Sequence, residues 1–130
     1  MTQIRPFLMF EGRAEEAMSF YVAQFGGRVV DIARYGPGQP GPEGTVMKAT
    51  FEIAGLQVMC SDSFVKHAFT FTPSTSMFVD VDDEAQIERL AVAMAEGGGV
   101  LMPLGDYGFS KRFAWVSDRF GVSWQLNLAH

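Results

Sequence analysis

"TSMFVDVDDEAQIERLAVAMAEGGGVLMPL", residues Thr75 to Leu104, reads as strand, helix, glycine stop and strand in immediate succession. Thr75 to Val81 is rich in β-branched and aromatic residues, and Asp82-Asp83 then supplies two N-cap residues, with Gln86 three positions after Asp83. Ile87, Leu90, Ala91 and Met94 recur at three- and four-residue spacing, which predicts a helix from about Asp83 to Glu96 with one apolar face. Gly97 to Gly99 end it, and Val100 to Leu104 resumes strand character. Downstream, Arg112 to Val116 and Val122 to Leu128 read as two more strands, with Asp118 and Gly121 at the first and fourth places of the turn between them.

Upstream the same order recurs. Ile4 to Phe10 reads as a strand, Ala14, Ala17, Met18, Tyr21 and Phe25 form a helical stripe, Gly26-Gly27 stops it, and Arg28 to Tyr35 is a strand again. The stretch "GPGQPGPEG" (Gly36 to Gly44), with four Gly and three Pro in nine residues, is a loop. Thr45 to Ile53 and Leu56 to Ser61 then form a hairpin closed at Ala54-Gly55. Gly27 and Gly98 lie 71 residues apart and Gly55 and Gly121 lie 66 apart, each close to half of the 130-residue chain. One βαβββ unit leaves an apolar sheet face that needs a second unit to cover it. The expected fold is therefore α+β: a single domain (1–130) of two βαβββ modules, 1–63 and 75–130, joined by the connection 64–74. Their strands would make one curved mixed sheet around a cup, with the helices outside.

Ten Lys and Arg against fifteen Asp and Glu give a net charge of −5, and no cationic stripe occurs, which argues against nucleic acid as a partner. No apolar run approaches the roughly 18 residues that cross a bilayer, and no basic, apolar leader precedes the first strand, so no membrane role is expected. The single cysteine, Cys60, excludes an intrachain disulfide and suits a reducing compartment; the expected location is the cytoplasm. Twelve Phe and eight Met exceed what one small core needs, so some could line a cavity, although packing in the core is the commoner use of such residues.

Four stretches in order, "FEGRAEEAMSFY" (Phe10 to Tyr21), "VMCSDS" (Val58 to Ser63), "GGGVLMPL" (Gly97 to Leu104) and "DRFGVSWQLNL" (Asp118 to Leu128), together resemble the PhnB-like family. That family belongs to the vicinal oxygen chelate superfamily, with glyoxalase, the extradiol dioxygenases and the bleomycin and fosfomycin resistance proteins. The resemblance spans nearly the whole chain. It implies a cup built from paired modules, and the expected assembly is a homodimer whose interface completes or covers the cavity. It also implies four strand positions where the superfamily's enzymes hold a divalent metal; counted from the helices and hairpin glycines, these fall on Pro6, Met59, Ser76 and Gln125. Gln125 stands four residues after Gly121, where glyoxalase-like members carry a metal-binding Glu. Proline, thioether, hydroxyl and amide bring no charge to a dication, and His67 and His130 form no sequence pair, so neither a metal nor another cofactor is expected. The family is often labelled as a demethylubiquinone methyltransferase. The common S-adenosylmethionine site needs a Gly-rich turn directly after a parallel strand, whereas "EGGGV" (Glu96 to Val100) follows a helix and ends it.

Alternation along the last strand sets Ser123, Gln125 and Asn127 on one face and Val122, Trp124 and Leu126 on the other. The leading expectation is a small-molecule-binding protein in which Gln125 anchors a partly apolar ligand in a pocket formed with Met59, Ser76, Pro6, Trp115, Phe78 and Ser123. Gln125 could equally satisfy backbone groups or bridge a dimer. Lys111 and Arg112 would sit at the pocket rim and hold an anionic group, or else form a solvated hairpin edge. An enzymatic alternative is a metal-independent or unusually ligated lyase, isomerase or transferase, the labelled methyltransferase included, using His67, Tyr107 or Asp62 as acid or base. A third reading is a scaffold whose cup is filled by its own Met59, Phe78, Trp115 and Gln125. Cys60 is expected to be an inert core thiol turned toward the helix. The Gly36 to Gly44 loop is either a lid or a spacer.

Overall fold

A computed structural model describes residues 1–130. Ten elements follow one another: β1 (Phe7–Phe10), α1 (Ala14–Phe25), β2 (Gly27–Arg34), β3 (Val46–Ile53), β4 (Leu56–Asp62), β5 (Ser76–Asp80), α2 (Glu84–Ala95), β6 (Gly99–Gly105), β7 (Arg112–Ser117) and β8 (Ser123–Leu128). They fall into two compact units, Met1–His67 and Ala68–His130, each with the order βαβββ. The strands hydrogen-bond as two four-stranded mixed sheets, β1-β4-β3-β2 and β5-β8-β7-β6, in place of the single continuous sheet expected from the sequence. The reason is that each module's first strand pairs in parallel with that module's own last strand.

In the first unit the predicted stripe of α1 is the buried one: Ala14, Ala17, Met18 and Tyr21 are fully buried, and Tyr21 stacks on Phe51 of β3 at 6.0 Å. Ala49, Phe51, Val58 and Cys60 supply the sheet side of this core, each large apolar chain contributing roughly 1.5–3 kcal/mol by leaving water. Sequence placed the start of β1 at Ile4, but it begins at Phe7 after Pro6, whose nitrogen has no proton for a ladder; the Pro6 carbonyl still accepts from Met59 N at 2.9 Å. The β3–β4 hairpin turns through Ala54 (φ 47°) and Gly55 (φ 84°), between the partners Ile53 and Leu56.

The second unit repeats the scheme with different local chemistry. Ile87, Leu90 and Met94 of α2 are fully buried, as are Leu126 and nearly so Trp124, Ala114 and Val116 on the facing strands. The helix starts with the predicted reciprocal cap: Asp83 Oδ1 accepts from Gln86 N, and Gln86 Oε1 accepts from Asp82 N, both at 2.8 Å. The two glycines 71 residues apart do the same job. A Cβ on Gly27 would lie 1.8 Å from the Glu52 carbonyl oxygen, and one on Gly98 would lie 2.0 Å from that of Ser117, so in each unit the chain leaving the helix rests directly on the neighbouring backbone.

The Gly36 to Gly44 loop is closed at its neck by Tyr35 N to Thr45 O and Gly44 N to Tyr35 O, both 2.9 Å, and Gly41 lies against the Tyr35 ring. No helix is long and apolar enough to cross a membrane.

Candidate functional site

Period-two alternation splits each sheet into a helix-covered face and an open one. In the second unit Trp124, Leu126 and Leu128 of β8 are buried toward α2, which turns Ser123, Gln125 and Asn127 to the open face. Register then builds rows across the sheet: Ser76, Ser123 and Ser117; Phe78, Gln125 and Trp115; Asp80, Asn127 and Phe113. Four of the expected pocket residues are thereby joined. Trp115 Nε1 donates to Ser123 Oγ at 2.8 Å, the Ser123 and Ser76 hydroxyls lie 2.6 Å apart, and Gln125 Nε2 donates to Ser76 Oγ at 3.3 Å. These four side chains carry five polar protons and spend three on those bonds. One hydroxyl proton, one amide proton and the Gln125 carbonyl oxygen are left over.

Beside this polar network lies a group of rings that sequence reasoning only partly located. Phe113 is buried beneath Phe109 (5.0 Å, edge-on), Tyr107 (6.2 Å, edge-on) and Phe78 (6.4 Å). Phe78 and Phe109 nevertheless remain 57% and 60% exposed, so the open face offers apolar ring surface next to unspent hydrogen-bonding groups. The same exposure is at odds with a cup filled by its own Phe78.

The open face of the first unit is different. Phe7, Met59, Thr50 and Asp31 form one row across its sheet, so Phe7 stands level with Met59, and Pro6, one residue earlier, does not. A groove of about 330 Å³ is lined here by Met59 and Thr50 together with Arg5, Asp31 and Lys48. None of the last three was singled out by sequence; Asp31 reaches this face only through a bulge between Val29 and Asp31 that shifts the alternation of β2.

The remaining candidates are held in other roles. Asp62 is buried, with Oδ1 accepting from Gly12 N (2.7 Å) and Ala14 N (2.9 Å) and Oδ2 from Val46 N (3.0 Å), so it closes the start of α1 in place of an acid or base. Tyr107 donates to the Pro103 carbonyl at 2.5 Å. His67 Nε2 lies 2.9 Å from Ser63 Oγ, whose own proton goes to the Val65 carbonyl, and the set forms a local turn. Arg112 and Lys111 do not form an anion-holding rim: Arg112 Nη1 bonds Glu84 (3.0 Å) and Glu88 (2.7 Å) of α2, and Lys111 Nζ lies 3.5 Å from Glu84. The reason is alternation again, since Arg112 shares the helix-facing side with Ala114 and Val116. The hydrogen bond from Arg112 holds the Glu84 carboxyl below its ordinary range. Cys60 is buried, and desolvation, reinforced by the Asp62 charge, pushes its thiol up to about 12.

The model of the 3-demethylubiquinone-9 3-methyltransferase family matches residues 2–127. The chain belongs to this family. Among solved structures, the PhnB protein of Bacillus cereus, described with the same methyltransferase name, is 51% identical; the match covers 98% of this chain and 100% of that one, with a TM-score of 0.95. Protein PA1353 from Pseudomonas aeruginosa is 34% identical over 99% of this chain and 98% of that one, TM-score 0.85. Protein YjdN of Escherichia coli K12 is 25% identical over 96% of this chain and 94% of its own length. The fold is that of the glyoxalase and bleomycin resistance proteins: the fosfomycin resistance protein FosX of Listeria monocytogenes, crystallised with Mn(II), superposes with a TM-score of 0.68 at 12% identity, covering 98% of this chain and 92% of FosX.

These relatives suggest two groups, a divalent metal and S-adenosylmethionine, and the residues of this family member suit neither well. No three His, Cys, Asp or Glu side chains converge in it, and each open face offers a single carboxylate, Asp31 beside a thioether and two cations in one unit and Asp80 beside neutral hydroxyls and amides in the other, which is a poor donor set for a divalent ion. For S-adenosylmethionine, the helix N-termini after β1 and β5 each already hold a carboxylate of the chain itself, Asp62 accepting from Ala14 N and Asp83 from Gln86 N, which is a poor setting for a cofactor's carboxylate. No reaction step is assigned to either group.

Proposed function

We propose that the protein binds a small, flat, largely apolar and uncharged molecule on the open face of the β5–β8 sheet, with Gln125 as its polar anchor. The supporting observation is the Gln125–Ser76–Ser123–Trp115 network, which keeps donors and an acceptor unspent beside exposed rings. Phe78 and Phe109 stack on the apolar body of the ligand, and the amide and the spare hydroxyl proton meet a carbonyl or hydroxyl on it. Asp80, bonded to Asn127 at the end of the same face, disfavours an anionic ligand there. No divalent metal takes part in this reading, and the homodimer and the cytoplasmic setting belong to it as further proposals.

Trp115 is a built-in reporter, because it touches the network while Trp124 is buried and bonded to Asp118. Titration with a panel of neutral phenols and aromatic ketones is expected to change Trp115 emission saturably, with affinity about tenfold weaker in Gln125→Ala and unchanged by a chelator. The proposal fails if no member of the panel alters the emission and native mass spectrometry of protein taken from cells finds no small molecule bound.

A further inference from the structure

The groove on the first unit's sheet has a composition unlike the rest of the chain. In a protein of net charge −5, this hollow carries two cations, Arg5 and Lys48, against one carboxylate, Asp31. Neither cation has a carboxylate within ion-pair distance, a state they share with Arg28 and Lys66 but which here falls on two residues lining one hollow. At the floor, Thr50 is only 3% exposed, yet its hydroxyl makes no hydrogen bond within the protein. That hydroxyl faces the groove and stays free for whatever occupies it, and two like charges lining one hollow repel, a cost that vanishes when an anion sits between them.

We infer that this groove is a binding site for a small oxyanion, a carboxylate or phosphate group, on a molecule that also carries a hydrogen-bond donor. Arg5 offers a planar fork that matches two oxygens of such a group, Lys48 supplies a second, point-like charge, and the Thr50 hydroxyl donates from below. Asp31 sets the second requirement: it repels a bare polyanion and accepts from a hydroxyl or ammonium on the ligand, while Met59 packs against its carbon skeleton. A volume of about 330 Å³ restricts the occupant to a molecule of metabolite size. The site lies wholly within the first unit and stands independently of the Gln125 face.

The test is a chemical-shift titration of the intact chain with glycolate, acetate and inorganic phosphate at constant ionic strength. Saturable shifts at the amides of Lys48, Thr50 and Met59 are expected, with glycolate binding more tightly than acetate because only glycolate has a donor for Asp31. Arg5→Gln, Lys48→Met and Thr50→Val should each weaken binding about tenfold, Lys48→Arg should retain it, and Lys66→Met, which removes the same charge from an exposed loop, should leave it unchanged. Thr50→Val is isosteric, and its melting temperature, measured alongside, separates lost binding from lost folding. The inference is overturned if no probe saturates, or if the three groove variants bind as the unaltered protein does.

Discussion

Gln125 and Asp62 are both polar residues on strands of a sheet, and their surroundings send them to opposite roles. Gln125 is half-buried on an open face with part of its amide unspent, whereas Asp62 is enclosed and gives both oxygens to backbone N–H groups. Asp62→Ala would leave three amides unpaired, and a loss of about 3 kcal/mol is expected, read as a fall in melting temperature of about 10 °C. Its partners Gly12 and Ala14 lie 50 and 48 residues away in sequence, so no local pattern distinguishes this structural carboxylate from a catalytic one. The adjacent Cys60 gives a second prediction. Its folded thiol titrates at about 12, above the roughly 8.5 of an unfolded cysteine, so burial of the neutral thiol contributes fully below about pH 8.5 and the contribution is lost as pH rises toward 12. Denaturant unfolding should therefore show a steeper alkaline loss of stability for the native chain than for Cys60→Ala, and a thiol reagent should label Cys60 at pH 8 only when the protein is unfolded.

At the scale of elements, the two modules reach the same topology with different means of starting their helices. The α2 start was legible, because Asp82, Asp83 and Gln86 lie within one turn and their spacing is itself the capping signal. The α1 start was not, since its cap comes from the far end of β4. Helix and strand periods located every element, but the β2 bulge left no mark in a run of similar residues, so sequence could not tell which face Asp31 would occupy. That is why the face containing Gln125 was readable and the meeting of Asp31 with Lys48 and Arg5 in one groove was not. The helix-ending glycines test the equivalence of the modules: Gly27→Ala and Gly98→Ala each force a Cβ into a carbonyl oxygen, and each should cost about 3 kcal/mol by denaturant unfolding. The tie between α2 and β7 adds a pH dependence. Glu84 is held below its ordinary range by Arg112, so it stabilises above the unfolded carboxylate value and loses that contribution as pH falls through the folded one; Glu84→Gln should flatten the acid limb of the stability profile.

Across the whole chain, the duplication read from paired glycines makes the pattern of backbone protection predictable, because the two sheets have equivalent edges. In the orders β1-β4-β3-β2 and β5-β8-β7-β6 the interior strands are β3, β4, β7 and β8, each hydrogen-bonded to a neighbour on both sides, while β2 and β6 each have one unpaired edge. Both of these edges are irregular, and irregular edges resist addition of another strand. β6 goes further, with register shifts on either side of Met102 and a proline, Pro103, that can donate nothing to a ladder. Hydrogen exchange should accordingly be slowest in β3, β4, β7 and β8, faster in β2 and fastest in β6, where Val100 and Leu101 are also exposed. If β6 proved as protected as β7, something outside the chain would have to cover that edge. A second copy is then the simplest cover, and diluting the protein until it is monomeric would restore fast exchange in β6 alone.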